Sequence, residues 1–236
     1  MHHVVLEHWS RGDSVVHHVD ARAKTLALLA FLIAVATTRP EAFARIAAYL
    51  AILLAGVLAA RLPLMRLLAR ATVVLPFAAA FAAACWIAGD GLRAVGLLEK
   101  TYLSAIAVLL VVGTTPLPLL LTGFRSLGVP RILIAVVQFL YRYLFVISEQ
   151  AQHMRLAASC RSGVRKADRK SRFGAAAGAL SVLFARSFFR ADGIHRAMLA
   201  RGYDGKLPTP VASRFRAADG LFAVAAIALF AAIRAL

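Results

Sequence analysis

The stretch ATVVLPFAAAFAAACWIA, Ala71–Ala88, decides the fold of this chain, because none of its residues carries a charge. A helix of about 20 predominantly apolar residues crosses the hydrocarbon core of a bilayer. The stretch contains Pro76, and a membrane helix tolerates a proline when neighbouring helices satisfy the carbonyl group that it frees. We therefore interpret Ala71–Ala88 as a kinked membrane-spanning helix.

Four further runs have a similar apolar composition. Many of their residues are Ala and Gly, which allow membrane helices to approach closely. We expect Lys24, just before the first of these runs, to extend its ammonium group to the membrane interface. The sequence thus predicts an all-α integral membrane protein with about five transmembrane helices. The four runs are Thr25–Ala36, Ala42–Ala60, Tyr102–Leu121 and Gly220–Ile233.

The charge of the chain is strongly basic and unevenly distributed. The formal net charge is +17, from 28 Lys and Arg against 11 Asp and Glu, in a chain that is 61% hydrophobic with a mean hydropathy of +0.75. Seventeen of the basic residues and four of the acidic ones lie between Thr122 and Ala217. In a membrane protein, Lys and Arg accumulate on the cytoplasmic side, close to anionic headgroups. This distribution argues against nucleic acid as a partner.

The same asymmetry predicts the orientation and the domains. With the N-terminus in the cytoplasm, the inner loops hold most of the basic residues and the outer loops hold few. Five crossings then leave the C-terminus outside. We divide the chain into residues 1–122, which hold the N-terminal region and transmembrane helices 1–4, a cytoplasmic basic segment at 123–217, and a last transmembrane helix at 218–236.

The basic segment has its own helical pattern of two to three long helices. Glycine and proline terminate the last of them, at Gly202, Gly205, Pro208 and Pro210. An alternative with seven spans would insert Pro130–Ile147 and Gly174–Phe189 into the membrane, and Arg186 argues against it because an arginine within a bilayer is costly. In order along the chain we expect an apolar helix at Pro130–Ile147, an amphipathic continuation at Glu149–Arg161, a charged connector at Ser162–Arg172 and a long helix at Gly174–Leu199.

The basic segment contains two pairs of ionisable residues at helical spacing and one stretch of small residues. Asp192 and Arg196 are spaced to meet across one helical turn. Glu149 and His153 have the same spacing, which we interpret as a solvated surface pair. The stretch GAAAGALS, Gly174–Ser181, lacks the Gly-Lys-Ser/Thr ending of a phosphate-binding loop. We expect its small residues to permit close helix packing.

Catalytic and metal-binding patterns are weak. Cys85 and Cys160 show no pairing pattern, and no serine has a base at a recognisable spacing. Five histidines near the N-terminus could bind a metal ion, but no carboxylate is spaced to complete a site. We expect no catalytic residue and no metal ligand, and hence no enzyme. The five histidines are His2, His3, His8, His17 and His18.

Two small-Arg-small triplets carry a family resemblance. Cys160, Arg161 and Ser162 form the first, and Ala200, Arg201 and Gly202 form the second, within AMLARGYDG. They resemble the coupling motifs of the transmembrane T component of energy-coupling factor (ECF) transporters, the EcfT family, and the layout is closest to its cobalt-type, CbiQ-like members. DSVVHHVDARAKTLALL (Asp13–Leu29) and TTPLPLLLTGFRSLGVPR (Thr114–Arg131) are similar to further parts of that family. Cys160 stands where the family usually has alanine.

The resemblance implies a non-catalytic scaffold in a prokaryotic plasma membrane. Two ATP-binding-cassette (ABC) ATPases would bind beneath it and use ATP-Mg, while this chain binds no cofactor. A separate substrate-binding membrane subunit, the S component, would lie beside it and be CbiM-like if the substrate is cobalt. Arg161 and Arg201 would relay ATPase motion through coupling helices, since arginine offers a planar, always charged group to carboxylates and carbonyls.

The substrate and one other functional class stay open at this point. Cobalt or nickel is the expected cargo. Biotin, another vitamin, or a shared module that serves several substrate subunits are the alternatives. A standalone membrane enzyme or channel is the rival class, and it would need polar residues converging within the spans. The predicted spans contain almost no ionisable residue besides Arg45, which favours the scaffold.

Overall fold

The structure, a computed structural model, describes residues 9–10, 12–39, 43–162, 169–205 and 216–235. Every regular element within these residues is a helix, so the predicted all-α class is confirmed. The chain divides into two compact units. The first comprises Met1–Gly128 and Val211–Leu236, and the second comprises Val129–Pro210.

Helices of very different lengths build the first unit. The short α1 and the 17-residue α2 are followed by α3, and an almost continuous pair, α4 and α5, is joined by a 3₁₀ turn at Thr72–Val74. This turn ends two residues before Pro76, which lies in the first turn of α5, and the predicted kink at the proline stays a prediction. The helices are α1 Val15–His18, α2 Ala21–Thr37, α3 Phe43–Ala59, α4 Leu64–Ala71, α5 Leu75–Ile87, α6 Gly91–Thr114, α7 Leu117–Ser126 and α10 Ala217–Ala235.

Helix α6 is the centre of the first unit, since α2, α3, α4 and α5 all pack against it. Its buried residues Leu103 and Ile106 face the core. Next to α6, the ring of Phe31 makes edge contacts with Tyr49 at 5.7 Å and Phe230 at 5.3 Å between ring centroids. These three rings join α2, α3 and α10, and aromatic edge contacts of this kind add to the stabilisation from buried area.

The predicted fourth apolar run, Tyr102–Leu121, is wrong in its bounds. Helix α6 begins at Gly91 and ends at Thr114, and α7 begins at Leu117. Thr115 between them is extended, with φ −140° and ψ 119°. Pro116 favours this conformation in the residue before it and has no N–H to continue the helix. The helix therefore breaks at Thr115 and Pro116, although the sequence on both sides of the break is apolar.

Four helices among the described residues are long and apolar enough to cross a membrane. They are Leu64–Ile87, Gly91–Thr114, Arg131–Arg161 and Ala217–Arg234, and Ala44–Ala59 is a shorter apolar helix. Together with the helical class this supports a multi-pass membrane protein. At 1.5 Å per residue the 17-residue α2 and α3 are each about 26 Å long, slightly less than a bilayer core of about 30 Å. The five-span topology stays a prediction.

Two long helices form the second unit. Helix α8 spans Arg131–Ser162 without interruption, and α9 spans Arg169–Ala200. The predicted continuation of Pro130–Ile147 into Glu149–Arg161 is therefore confirmed. Helix α9 is long enough to cross a membrane, but its described residues do not reach the hydropathy of a span. Helix α8, which contains the other stretch of the seven-span alternative, does reach it. The number of spans therefore stays a prediction.

Candidate coupling surface

The first predicted triplet lies at the C-terminal end of α8. Cys160 and Arg161 are exposed, and Ser162 is the last helical residue. The backbone carbonyl groups at a helix C-terminus carry partial negative charge, so an arginine in the last turn is favourable there. The helix thus presents Arg161 at a defined position on the surface of the second unit.

The second triplet ends α9 in a Schellman motif. Tyr203 N donates a hydrogen bond to Met198 O at 3.0 Å, and Gly202 N donates one to Leu199 O, also at 3.0 Å. Gly202 has φ +78°, a left-handed conformation that glycine adopts without the steric cost of a Cβ atom. Arg201 is the residue immediately before it and is exposed. The predicted helix stop at Gly202 is confirmed, while Pro208 and Pro210 lie outside the described residues.

An apolar groove of about 540 Å³ adjoins the end of α9. Met198 and Tyr203, the two positions whose side chains usually make a hydrophobic contact in a Schellman motif, both line it. The rings of Phe139 and Tyr143 are stacked 6.3 Å apart on the α8 side of the groove. Neither aromatic residue was predicted as a site residue, although their spacing of four puts them on one helix face.

A second groove, of about 710 Å³, adjoins the first triplet. Arg161 lines it together with Arg186 of α9, and three small residues line it as well. Both arginines are exposed. This groove is therefore open and positively charged at its rim. Its small residues are Ala157, Ala158 and Ala179.

The two triplets are not adjacent. Arg161 shares its groove with Ala179 near the beginning of α9, whereas Tyr203 shares the other groove with Phe139 near the beginning of α8. Arg161 and Phe139 are separated by about 33 Å of helix. The two arginines thus lie on opposite sides of the region where α8 meets α9, so they can contact two different partners or two distant sites.

Both predicted charge pairs form, on exposed surface. An Arg196 guanidinium nitrogen donates to Asp192, and this hydrogen bond holds the pKa of the Asp192 carboxyl below its usual range. His153 Nε2 lies 3.9 Å from Glu149 Oε1, with both side chains about three-quarters exposed. The predicted contact between Asp192 and Arg196 and the expected solvated pair of Glu149 and His153 are both present, and exposed pairs of this kind contribute little to stability.

The close helix packing that we expected for GAAAGALS is wrong for the described part of the chain. A Cβ atom added to Gly174 or Gly178 would meet nothing within 4 Å. Nearby large side chains are also uncovered, among them Phe184 at 75% exposed and Phe188 at 66%. The two glycines of the stretch therefore make no close helix contact within the described residues, although Ala179 lines the second groove together with α8.

Two of the five N-terminal histidines lie in the described residues, and each has a hydrogen-bonding partner. His17 Nδ1 lies 2.7 Å from Ser14 Oγ, and its Nε2 lies 3.0 Å from Trp9 O. His18 Nε2 lies 2.7 Å from Asp13 Oδ1. Across residues 9–10, 12–39 and the later described ranges, no three His, Cys, Asp or Glu side chains converge on a metal site. His2, His3 and His8 lie outside the described residues.

Two relatives of this chain bear the names of transport proteins. It is 28% identical over 233 aligned residues to the energy-coupling factor transporter transmembrane protein EcfT of Bacillus selenitireducens, with 86% of this chain and 84% of the relative covered. It is 32% identical over 94 residues to the cobalt transport protein CbiQ of Rhodobacter capsulatus, with 40% of this chain and 38% of the relative covered.

A third relative is an uncharacterized protein of Methanocaldococcus jannaschii, 30% identical over 119 residues. This match covers 50% of the chain and 44% of the relative, so the chain spans less than half the length of that protein. The family model "CbiQ: Cobalt transport protein" matches residues 12–211, a range that includes both triplets. The resemblance drawn from the triplets is thereby confirmed, and the chain belongs to the CbiQ family of cobalt transport proteins.

Proposed function

We propose that this chain is the coupling T component of an ECF-type importer and is not itself an enzyme. Two ABC ATPases bind its cytoplasmic surface and hydrolyse ATP-Mg, and a membrane-embedded S component beside it binds the substrate. This chain has its N-terminus in the cytoplasm and binds no cofactor. Family membership and the relative named EcfT support this assignment.

The observation that carries the proposal is the position of Arg201. A Schellman motif fixes it at the end of a 32-residue helix, and it is exposed. A helix of that length is about 48 Å long and transmits displacement of its end as a rigid body. The always charged guanidinium group suits a groove lined by carboxylates or carbonyls on a partner. Arg161 has the corresponding position at the end of α8.

The exposed apolar residues of the second unit support further contacts. Ile132, Leu140 and Phe189 are each more than 60% exposed. Apolar patches of this kind on a membrane protein mark lipid or protein contacts. We assign this surface to the bilayer and the S component, and the two arginines to the ATPases.

Charge reversal tests the assignment of the arginines. In the assembled complex, Arg201→Glu and Arg161→Glu should each lower ATPase copurification or ATP-driven uptake by about tenfold or more, since disrupting a buried interface charge costs about 2–5 kcal/mol. Arg155→Glu is the matched control, because Arg155 is an exposed arginine of α8 outside the triplets. Equal effects of all three substitutions would assign the arginines to ordinary headgroup contacts.

Cobalt is the proposed cargo, with nickel as the chemically similar second ion. The family description and the relative named cobalt transport protein CbiQ support it. Proteoliposomes that contain the whole complex should accumulate Co²⁺ when supplied with ATP-Mg. Accumulation of biotin without Co²⁺ accumulation would contradict the metal assignment and leave the coupling role intact.

A further inference from the structure

A buried lysine ties three helices together at one end of the first unit. Lys24 is only 4% exposed, so the expectation that it extends to the interface is wrong. Its Nζ donates to Thr115 Oγ1 at 2.9 Å, to Thr114 O at 3.1 Å and to His17 O at 3.4 Å. These bonds use all three donors of the ammonium group. Lys24 therefore joins the beginning of α2 to the junction between α6 and α7.

A buried aspartate, Asp219, forms a second hydrogen-bonded contact with the beginning of α2. Asp219 is 7% exposed. Its Oδ1 accepts a hydrogen bond from Asp20 N at 3.1 Å, and its Oδ2 accepts one from Arg216 N at 2.9 Å. Asp20 in turn caps α2, because its side chain accepts from Arg22 N at 2.8 Å. One carboxylate thus connects the beginnings of α10 and α2, which are 199 residues apart.

Helix α7 makes the third contact with the beginning of α2. It packs on α2, and a Cβ atom at Gly123 would lie 3.4 Å from Ala21 C and 3.5 Å from Arg22 N. The two backbones therefore approach closely. We call the segment Asp20–Lys24, on which all three contacts converge, the anchor turn.

The anchor turn contacts both helices of the first unit, α7 and α10, whose chain continues into the second unit. Helix α7 leads through Gly128 to Val129, where the second unit begins, and the chain that leaves it at Pro210 continues into α10. We propose that the anchor turn receives the motion of the coupling helices and passes it to the membrane bundle, with Lys24 and Asp219 as positioning residues. This inference rests on the proposed coupling function.

The test compares two lysines that bind opposite ends of α2 in the assembled complex. Lys24→Met removes the donors at the anchor turn. Lys100→Met is the control, because Lys100 Nζ donates to Ala36 O and Thr38 O at the other end of α2. We expect Lys24→Met to retain ATP hydrolysis while Co²⁺ uptake per ATP falls about tenfold, within the usual range of coupling energies. Lys100→Met should keep the wild-type ratio.

Two outcomes would overturn the inference. One is a wild-type ratio of uptake to ATP hydrolysis in Lys24→Met, and the other is an equal loss of that ratio in both lysine variants. If Lys24→Met does not assemble, Thr115→Val removes a single acceptor and should lower the ratio by a smaller factor of about three. An unchanged ratio in an assembled Thr115→Val complex would equally overturn it.

The Arg201→Glu variant distinguishes a failure of this inference from a failure of the proposed function. Loss of ATPase binding in Arg201→Glu, together with a normal ratio in Lys24→Met, would reject the anchor turn alone. Normal ATPase binding and uptake in Arg201→Glu would reject the coupling role of the triplets, whatever the lysine variants do.

Discussion

At the scale of single residues, Arg201 owes its position to the glycine beside it. Gly202 accepts the left-handed backbone conformation that closes the Schellman motif. Arg201 consequently ends the helix with its side chain outside the last turn. Glycine is favoured there for backbone reasons, independently of any partner.

Replacing Gly202 with alanine should loosen the end of α9. A Cβ atom in the left-handed region costs about 1–2 kcal/mol, so the amides of Arg201 and Tyr203 should exchange with solvent at least about fivefold faster. Hydrogen-exchange mass spectrometry on the full chain measures this.

Gly193→Ala is the matched control, since Gly193 lies within α9 and a Cβ atom there would meet nothing within 4 Å. Alanine stabilises a helix interior by about 0.5–1 kcal/mol relative to glycine, so exchange in the middle of α9 should become slower. Faster exchange in both variants would contradict the Schellman account.

Lys24 shows where residue-level prediction from the sequence ends. A lysine beside an apolar run is typical of an interface, and the pattern alone favours exposure. Its acceptors Thr114 and Thr115 lie 90 and 91 residues further along the chain. Only tertiary packing brings them together, so neither the burial of Lys24 nor the tie to Asp219 could be predicted from local spacing.

At the scale of helices, amino-acid composition predicts that a helix exists better than it predicts the residues at which the helix begins and ends. The continuity of α8 and the end of α9 follow from spacing and from glycine, and the structure agrees with both. The break between α6 and α7 does not follow from hydropathy, because Thr115 and Pro116 interrupt the backbone without interrupting the apolar run. The pairing of the two triplets with separate grooves depends on how α8 and α9 pack, and no pattern in either helix predicts it.

Helix orientation in the membrane is tested by the native cysteine at the end of α8. Cys160 is exposed and Cys85 is half-buried, so Cys85→Ser leaves one reactive thiol. A membrane-impermeant maleimide should label Cys160 in inside-out vesicles and leave it unlabelled in right-side-out cells, because basic segments stay in the cytoplasm. Labelling from the outside would overturn the N-inside topology.

At the scale of the whole molecule, the chain divides its tasks between two units. The first has an aromatic core and a buried polar tie at the anchor turn, and the second has long helices with exposed arginines at their ends. A stable bundle and an extended contact surface suit a subunit that relays motion. We propose that substrate selection belongs to another subunit.

The isolated chain should therefore bind neither Co²⁺ nor Ni²⁺ stoichiometrically. A site that selects one metal ion needs several side chains that converge on the ion and are held in place by further contacts. His17 and His18 instead each hydrogen-bond nearby groups of the N-terminal segment. Isothermal titration calorimetry on the detergent-solubilised chain measures this. Micromolar binding that disappears when all five N-terminal histidines become alanine would place substrate recognition on this chain.

The reactivity of Cys160, beside Arg161, tests whether the ends of the long helices contact ATPases. In a Cys85→Ser background, maleimide labelling of Cys160 should slow by about tenfold or more when the ATPases are bound, because the core of a protein interface excludes solvent. A control thiol at Arg155→Cys, with Cys160→Ala, should react at the same rate in both states. An unchanged labelling rate of Cys160 in a complex that retains its ATPases would contradict the account.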